Sequence, residues 1–311
     1  MRKTLEDLVE DYVDYRRSLN YAERTLLKGR ENLVRFVDWL ADHAHVDTVD
    51  QLRKVHLEKW HRSLPEWRTR DGYPLKPSGL NRHIVSVRGF IAHLVRQGLL
   101  PKRFLQVLLY IKEPRRLPGH VLTHAQMRKL LSKIPTDSAP GYRNRTMLEL
   151  LYSSGIRSAE LLALDVDDIN LDHRVALIHG KGRKERMVPI GTTAMRYLET
   201  YIKAVRPFLV CDSREKAVFL NERRQGKRLS YQVFRRIVKA CAELSGLDVP
   251  VTAHTFRRSC TTELIRGGAN VYHVKELLGH ESLDTLNHYA KLTINDLKKT
   301  HAKTHPREKD T

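Results

Sequence analysis

The chain has 311 residues, of which 41% are hydrophobic, so it is long enough to form two globular domains with cores of ordinary size. Lys and Arg number 56 against 36 Asp and Glu, a formal net charge of +20. This excess favours a polyanionic partner such as nucleic acid. A basic protein of another kind, for example a ribosomal factor, shares this composition.

The positive charge is spread over both halves of the chain. Residues 1–117 carry a net charge of +8 and the remaining residues carry +12. A clamp with one basic body on each side of DNA fits this distribution better than a single basic tail.

The three cysteines, Cys211, Cys241 and Cys260, are odd in number and lack CxxC spacing. They predict neither a disulfide framework nor a zinc site, and they favour a reducing, cytoplasmic location. The first residues lack the apolar core of a signal peptide, and no apolar run of about 18 residues predicts a membrane span.

Apolar residues at spacings of three and four predict helices in the first third of the chain. Two lie between Leu5 and Leu40, with Thr25 as the expected cap of the second. A third is expected at 55–64, and a fourth at 78–96, ended by Gly98. The sequence therefore predicts an all-helical N-terminal domain at 1–111.

The segment 112–120 contains two prolines, a glycine and a basic cluster, which is typical of a linker. Beyond it, Thr123 is the expected cap of a helix to about residue 132, and a further helix is expected at 143–152. Two β-favouring segments, 175–178 and 186–190, flank a Gly-containing turn. The region 121–311 is thus predicted to be a mainly α domain with one small β-hairpin.

Several polar residues in this second region could act on a phosphate. His254 and Arg257 are three residues apart on a predicted helix beginning near Thr252, so they share one face, although the same spacing recurs elsewhere in the chain without a site. Arg157 precedes Ser158, an expected helix cap, and a helix N-terminus favours anions.

Lys181 lies between two glycines at the hairpin tip, where it could reach a ligand or form a solvated basic turn. A nucleotide-binding loop is excluded there, because G-x-x-x-x-G-K-[ST] is absent. Tyr289 follows His280 by nine residues on a short predicted helix, and a tyrosine with its ordinary pKa near 10 becomes a nucleophile only where its surroundings activate it.

Taken together and in order, these residues resemble the tyrosine recombinase, or phage integrase, family. The chain reads GIRSAEL, GKGRKER, HTFR and LGH and then Tyr289, where the family pattern is G-[IL]-R-x-x-E-L, G-K-G-x-K-x-R, H-x-[LF]-R, L-G-H and a tyrosine nine residues on. The match is strong from about residue 121 to 304 and looser before it. A tail ending in HPR is similar to the Xer-like subgroup in particular.

The resemblance implies a role for each of the six residues. Tyr289 would attack the scissile phosphate, Arg157 and Arg257 would bind its nonbridging oxygens, and Lys181 would protonate the leaving 5′-oxygen. His254 would assist proton transfer at the tyrosine, and His280 would hydrogen-bond the phosphate. Neither metal nor cofactor is implied.

The resemblance also implies how the protein assembles. The helical domain would bind double-stranded DNA opposite the catalytic domain, and a C-terminal tail would pack into a neighbouring protomer. The implied complex is a homotetramer on two inverted-repeat sites, with a paralogous recombinase as a further option. The reaction would be site-specific recombination, either dimer resolution or integration and excision of a mobile element.

Two alternatives stay open at this point. A type IB topoisomerase uses similar phosphotyrosyl chemistry but reseals the strand that it cut. A basic DNA-binding regulator would carry the same residues without using them, and it would keep every activity when Tyr289 is replaced.

Overall fold

The computed structural model describes residues 3–69, 71–114, 120–180, 184–224 and 226–279. The chain forms two compact units, Met1–Arg115 and Arg116–Thr311, and the division between them lies inside the segment 112–120. Among the described residues, no helix is long and apolar enough to cross a membrane.

The first unit is built from α-helices. Their bounds are Leu5–Ser18 (α1), Glu23–Ala44 (α2), Lys54–Ser63 (α3) and Pro77–Arg96 (α4). The helices enclose a core that includes the fully buried Phe36, Trp60 and Phe90. Gly98, which has a φ of +75°, follows the end of α4 as predicted.

Helix α2 begins earlier than the sequence pattern predicts. The prediction that Thr25 caps this helix is wrong, because α2 begins at Glu23 after the extended residue Ala22. The Thr25 N–H already donates to the carbonyl of Ala22 at 2.8 Å. Thr25 therefore lies within the first turn of α2.

The second unit combines helices with two small sheets. Its helices are His124–Ser132 (α5), Ala139–Ser154 (α6), Ser158–Ala163 (α7), Thr192–Thr200 (α8), Tyr231–Ser245 (α9), Ala253–Arg266 (α10) and Val271–Leu278 (α11). Its strands are Ile169–Asn170 (β1), Val175–His179 (β2), Glu185–Pro189 (β3), Leu220–Asn221 (β4) and Lys227–Arg228 (β5).

The sheets are larger than the single hairpin that the sequence predicts. Strands β2 and β3 form that hairpin, with Ile178 opposite Arg186, and β1 extends it to a three-stranded antiparallel sheet. Strands β4 and β5 form a separate two-stranded sheet. The expectation of one hairpin is wrong because β1, β4 and β5 have two residues each, too few for an alternating pattern.

Helix α6 lies at the centre of the second core and packs against α8 and α10. It begins at Ala139 instead of Arg143, because Ser138 accepts a hydrogen bond from the Gly141 N–H and caps the helix. Leu148 and Leu151 are fully buried on α6, as the sequence predicts.

We expect Leu148→Ala to destabilise the second unit by about 2–5 kcal/mol, because it opens a cavity in this core. Leu244→Ala, at a position that is 57% exposed on α9, should cost less than about 0.5 kcal/mol. Urea unfolding of the full chain followed by far-UV circular dichroism measures both. The three tryptophans all lie in the first unit, so their fluorescence gives a separate signal for it. Equal effects of the two variants would contradict the assignment of the core.

Candidate active site

Arg157 lies at the corner between α6 and α7. Gly155 ends α6 in the left-handed region, with a φ of +62°. Ser158 does not cap α7 as predicted; the extended residue at that end is Arg157 itself, whose backbone N–H donates to the Glu160 carboxylate at 2.8 Å. The Arg157 side chain also donates to Glu160, from Nη1 to Oε1 at 2.8 Å.

Arg257 is buried on α10, with only 7% of its surface exposed. Its Nη1 donates to the carbonyl of Gly155 at 2.7 Å, and its Nη2 donates to the carbonyl of Leu278 at 2.8 Å. Burial lowers the pKa of Arg257 to about 10, and the positive charge of Arg157 acts in the same direction. The guanidinium therefore stays charged at neutral pH.

The C-terminal end of α11 binds three arginines through three consecutive carbonyl groups. Leu277 accepts from Arg186 at 3.0 Å, Leu278 accepts from Arg257, and Gly279 accepts from Arg157 at 2.8 Å. A helix C-terminus carries a partial negative charge that favours such cations. The structure thus brings Arg157 and Arg257 together, as an active site for a phosphate requires.

Glu160 supplies a full negative charge among these arginines. Burial opposes its ionisation, but hydrogen bonds from Arg186 and Arg157 outweigh that effect and lower its pKa. Arg186 binds both carboxylate oxygens, at 2.8 and 3.1 Å. Glu160 therefore remains ionised and anchors the cluster.

His254 lies near the start of α10, one turn before Arg257. The residue is exposed, whereas Phe256 and Cys260 are buried in the unit and Leu264 is partly buried. Desolvation by surrounding atoms lowers the pKa of His254, and the charges of Arg258, Arg257 and Arg157 lower it further. The imidazole is therefore neutral at pH 7 and lies in the electrostatic field of the arginine pair.

Lys181, His280 and Tyr289 lie outside the described residues, as does the predicted tail. Described residues flank two of them in the sequence. Strands β2 and β3 lead toward Lys181, with the Gly180 N–H donating to the carbonyl of Lys184 at 2.7 Å. Gly279, at the arginine cluster, directly precedes His280 in the sequence.

Sequence reasoning missed Glu160 and Arg186. Both lie inside the motifs already quoted, as the acidic residue of GIRSAEL and the last residue of GKGRKER. The motifs contained the signal, but only the fold brings the two side chains into contact. No group of metal-binding side chains occurs among residues that the structure describes.

Residues 120–295 match the phage integrase family. That match covers more than half of the chain, and the chain therefore belongs to this family of tyrosine recombinases. The predicted enzyme class, a tyrosine site-specific recombinase, is confirmed by this match and by the relatives of the chain.

The similarity to Xer-like members extends over nearly the whole chain. Tyrosine recombinase XerD of Oceanobacillus iheyensis is 33% identical over 310 residues, covering 97% of this chain and 99% of the relative. Tyrosine recombinase XerD of Listeria monocytogenes is 38% identical over 234 residues, covering 74% and 77%. The predicted membership of the Xer-like subgroup is thus confirmed.

Solved structures agree on the fold. The Tn1549 transposon integrase in complex with transposon right end DNA has a TM-score of 0.73 at 21% identity, covering 97% of this chain and 99% of that one. The XerH recombinase bound to its difH substrate has a TM-score of 0.68 at 21% identity, covering 91% and 80%. The predicted fold class, mainly α with a small β component, is confirmed.

We expect His254 to titrate below its ordinary pKa of 6.5 in the free protein. An NMR titration measures this, with the His254 signal assigned by its loss in His254→Gln. Removing a neighbouring positive charge favours the protonated imidazole, so Arg258→Gln should raise the pKa of His254. Arg266→Gln, which removes an exposed arginine from the far end of α10, should leave it unchanged. A wild-type pKa at or above 6.5, or equal pKa values in the two arginine variants, would contradict this account.

Proposed function

We propose that the protein cleaves and rejoins DNA strands through a 3′-phosphotyrosyl intermediate formed by Tyr289. In this scheme the Tyr289 oxygen attacks the scissile phosphorus, and the bond from phosphorus to the 5′-oxygen breaks. Lys181 transfers a proton to that oxygen, and His254 accepts the tyrosine proton. A 5′-hydroxyl attack on the phosphotyrosyl bond then reseals the DNA and releases Tyr289.

The observation that carries this proposal is the pair of guanidiniums at the end of α11. Arg157 and Arg257 bind neighbouring carbonyls there, and the Arg157 side chain is 41% exposed, so it can meet an incoming phosphate. Negative charge on the nonbridging oxygens is what opposes attack by a tyrosine oxygen. Preorganised donors aimed at such charge typically contribute about 10²- to 10³-fold each to the rate.

The neutral state of His254 fits its proposed part in the reaction. A general base must be unprotonated at the working pH, and proton transfer by a positioned side chain is worth about 10²- to 10⁴-fold. His280 would donate a hydrogen bond to the same phosphate. The scheme uses no metal, because five polar side chains would surround the phosphate. It uses no ATP, because the phosphotyrosyl bond conserves the energy of the cleaved phosphodiester.

We propose the predicted domains as the two arms of a DNA clamp, with residues 1–111 as the core-binding domain, 112–120 as the linker and 121–311 as the catalytic domain. Both halves of the chain are basic. In the first unit, a cleft beside α2 and α4 is lined by basic residues, namely Lys28, Arg30, Arg35, Arg68 and Arg82. Binding to double-stranded DNA should therefore weaken steeply with salt.

The assembly that we propose is a homotetramer on two inverted-repeat sites in the cytoplasm, with a paralogous recombinase as a further option. Dimer resolution is the option that the Xer-like resemblance implies, and tyrosine recombinases named XerD match nearly the full length of the chain. Similarity of fold to a transposon integrase supports integration or excision of a mobile element. The type IB topoisomerase and the DNA-binding regulator are less favoured, since the relatives bear recombinase names.

The test is to incubate the protein with fragmented source DNA in EDTA, quench with SDS, and sequence the protein-linked DNA. We expect adducts that share one inverted-repeat sequence and disappear in Tyr289→Phe, because only that variant lacks the attacking oxygen. Tyr272→Phe, which removes a hydroxyl from a side chain 65% exposed on α11, is the matched control and should retain the adducts.

Other outcomes separate the alternatives. Adducts that persist in Tyr289→Phe would assign the nucleophile elsewhere, and adducts that require Mg²⁺ would contradict the metal-independent scheme. Tight DNA binding without any adduct would favour the regulator. Relaxation of supercoiled DNA without recombinant products would favour the topoisomerase.

A further inference from the structure

Arg186 differs from the two proposed phosphate-binding arginines in how many of its guanidinium nitrogens donate hydrogen bonds to protein atoms. It lies on β3, and the side chain is only 15% exposed. Nη1 and Nη2 donate to the two oxygens of Glu160, and Nε donates to the carbonyl of Leu277. This bidentate pairing is the strong, geometrically specific form of an arginine–carboxylate contact. All three guanidinium nitrogens of Arg186 thus donate hydrogen bonds to protein atoms.

Arg157 also binds Glu160, but fewer of its guanidinium nitrogens donate hydrogen bonds to described residues than in Arg186. A guanidinium has five N–H donors. The hydrogen bonds of Arg157 to described residues run from Nη1 to Glu160 and from Nη2 to the carbonyl of Gly279. N–H groups therefore remain that can turn toward a bound anion.

The hydrogen bonds from Arg186 determine how many hydrogen bonds Glu160 can accept from the Arg157 side chain. An ionised carboxylate can accept a bidentate pair of hydrogen bonds from one guanidinium. While Arg186 occupies both oxygens, Arg157 shares only Oε1 through its side chain. Without Arg186, Glu160 could bind Arg157 bidentately, which would turn the guanidinium away from a phosphate.

Arg186 also supports the segment that Arg157 and Arg257 bind. Its guanidinium lies against Gly279, where an added Cβ would come within 3.2 Å of Cζ. It joins β3 to the end of α11 through the carbonyl of Leu277. One side chain therefore links the sheet, the start of α7 and the last turn of α11.

We propose that Arg186 is a positioning residue for strand cleavage: by binding both oxygens of Glu160 and the carbonyl of Leu277, it leaves Arg157 directed at the scissile phosphate. This inference rests on the proposed function, in which Arg157 binds the nonbridging oxygens. Arg186 itself makes no contact with DNA in this role.

The test compares cleavage rates of Arg186→Gln and wild type in single-turnover reactions, on the site captured through Tyr289 adducts. We expect the variant to cleave about 10- to 100-fold more slowly, a loss that a small misplacement of a catalytic group can cause, with a DNA Kd changed less than about twofold. Arg186→Lys keeps the charge but cannot make the bidentate contact, so its rate should lie between the two.

A second substrate separates positioning from general damage to the fold. Replacing a nonbridging oxygen of the scissile phosphate by methyl removes the charge that Arg157 binds. On this substrate, the ratio of the wild-type cleavage rate to that of Arg186→Gln should be smaller by about fivefold or more. The reason is that cleavage of a neutral phosphate depends less on a preorganised cation. The rate ratio of wild type to Arg157→Ala should become smaller in the same way. A misfolded variant would be slower than wild type by the same factor on both substrates.

Two further variants complete the design. Glu160→Gln combined with Arg186→Gln should be no slower than the slower single variant, because both disrupt one contact. Arg174→Gln removes an exposed arginine that lies just before β2 and donates a hydrogen bond to Thr192. This control variant should cleave like wild type.

A wild-type rate for Arg186→Gln, or an unchanged defect on the methyl-substituted phosphate, would overturn the inference. Failure of the proposed function looks different. In that case the wild-type protein itself forms no Tyr289-dependent adduct, and the effect of Arg186 on cleavage does not arise.

Discussion

The arrangement of the second unit depends on holding three positively charged arginine side chains close together. Arg157, Arg186 and Arg257 converge on the last turn of α11, where their mutual repulsion and burial oppose folding. Three backbone carbonyls and the Glu160 carboxylate offset that repulsion. Among the described residues, one carboxylate against three guanidiniums leaves excess positive charge, which a bound phosphodiester would neutralise. The cluster is therefore organised for an anion before any anion binds.

This requirement explains why the surrounding elements meet as they do. The corner after α6 contributes the carbonyl of Gly155 to Arg257, and an added Cβ at Gly155 would come within 2.7 Å of the Leu278 side chain. Gly279 ends α11 in the left-handed region, with a φ of +63°, and its carbonyl accepts from Arg157. Glycine is needed at both positions because the backbone itself forms the site.

Local patterns could be predicted from the sequence, and contacts between distant residues could not. Periodicity and capping predicted α5 with its cap Thr123, and the motifs singled out Arg157 and Arg257, which the structure brings together at the end of α11. The predicted caps Thr25 and Ser158 were wrong, because neighbouring backbone in the extended conformation decided where those helices begin. Two-residue strands carry no periodic signal. The pairing of Glu160 with Arg186 joins positions 26 residues apart, which no local pattern encodes.

The most direct test of this account is a crystal structure of the protein with cleaved target DNA and vanadate, which mimics the pentacovalent phosphorus between Tyr289 and the 5′-oxygen. The account predicts vanadate oxygens within hydrogen-bond distance of both Arg157 and Arg257, with Arg186 still bound to the two oxygens of Glu160. Vanadate held away from this pair, or a guanidinium of Arg186 turned from Glu160 to the vanadate, would contradict the account.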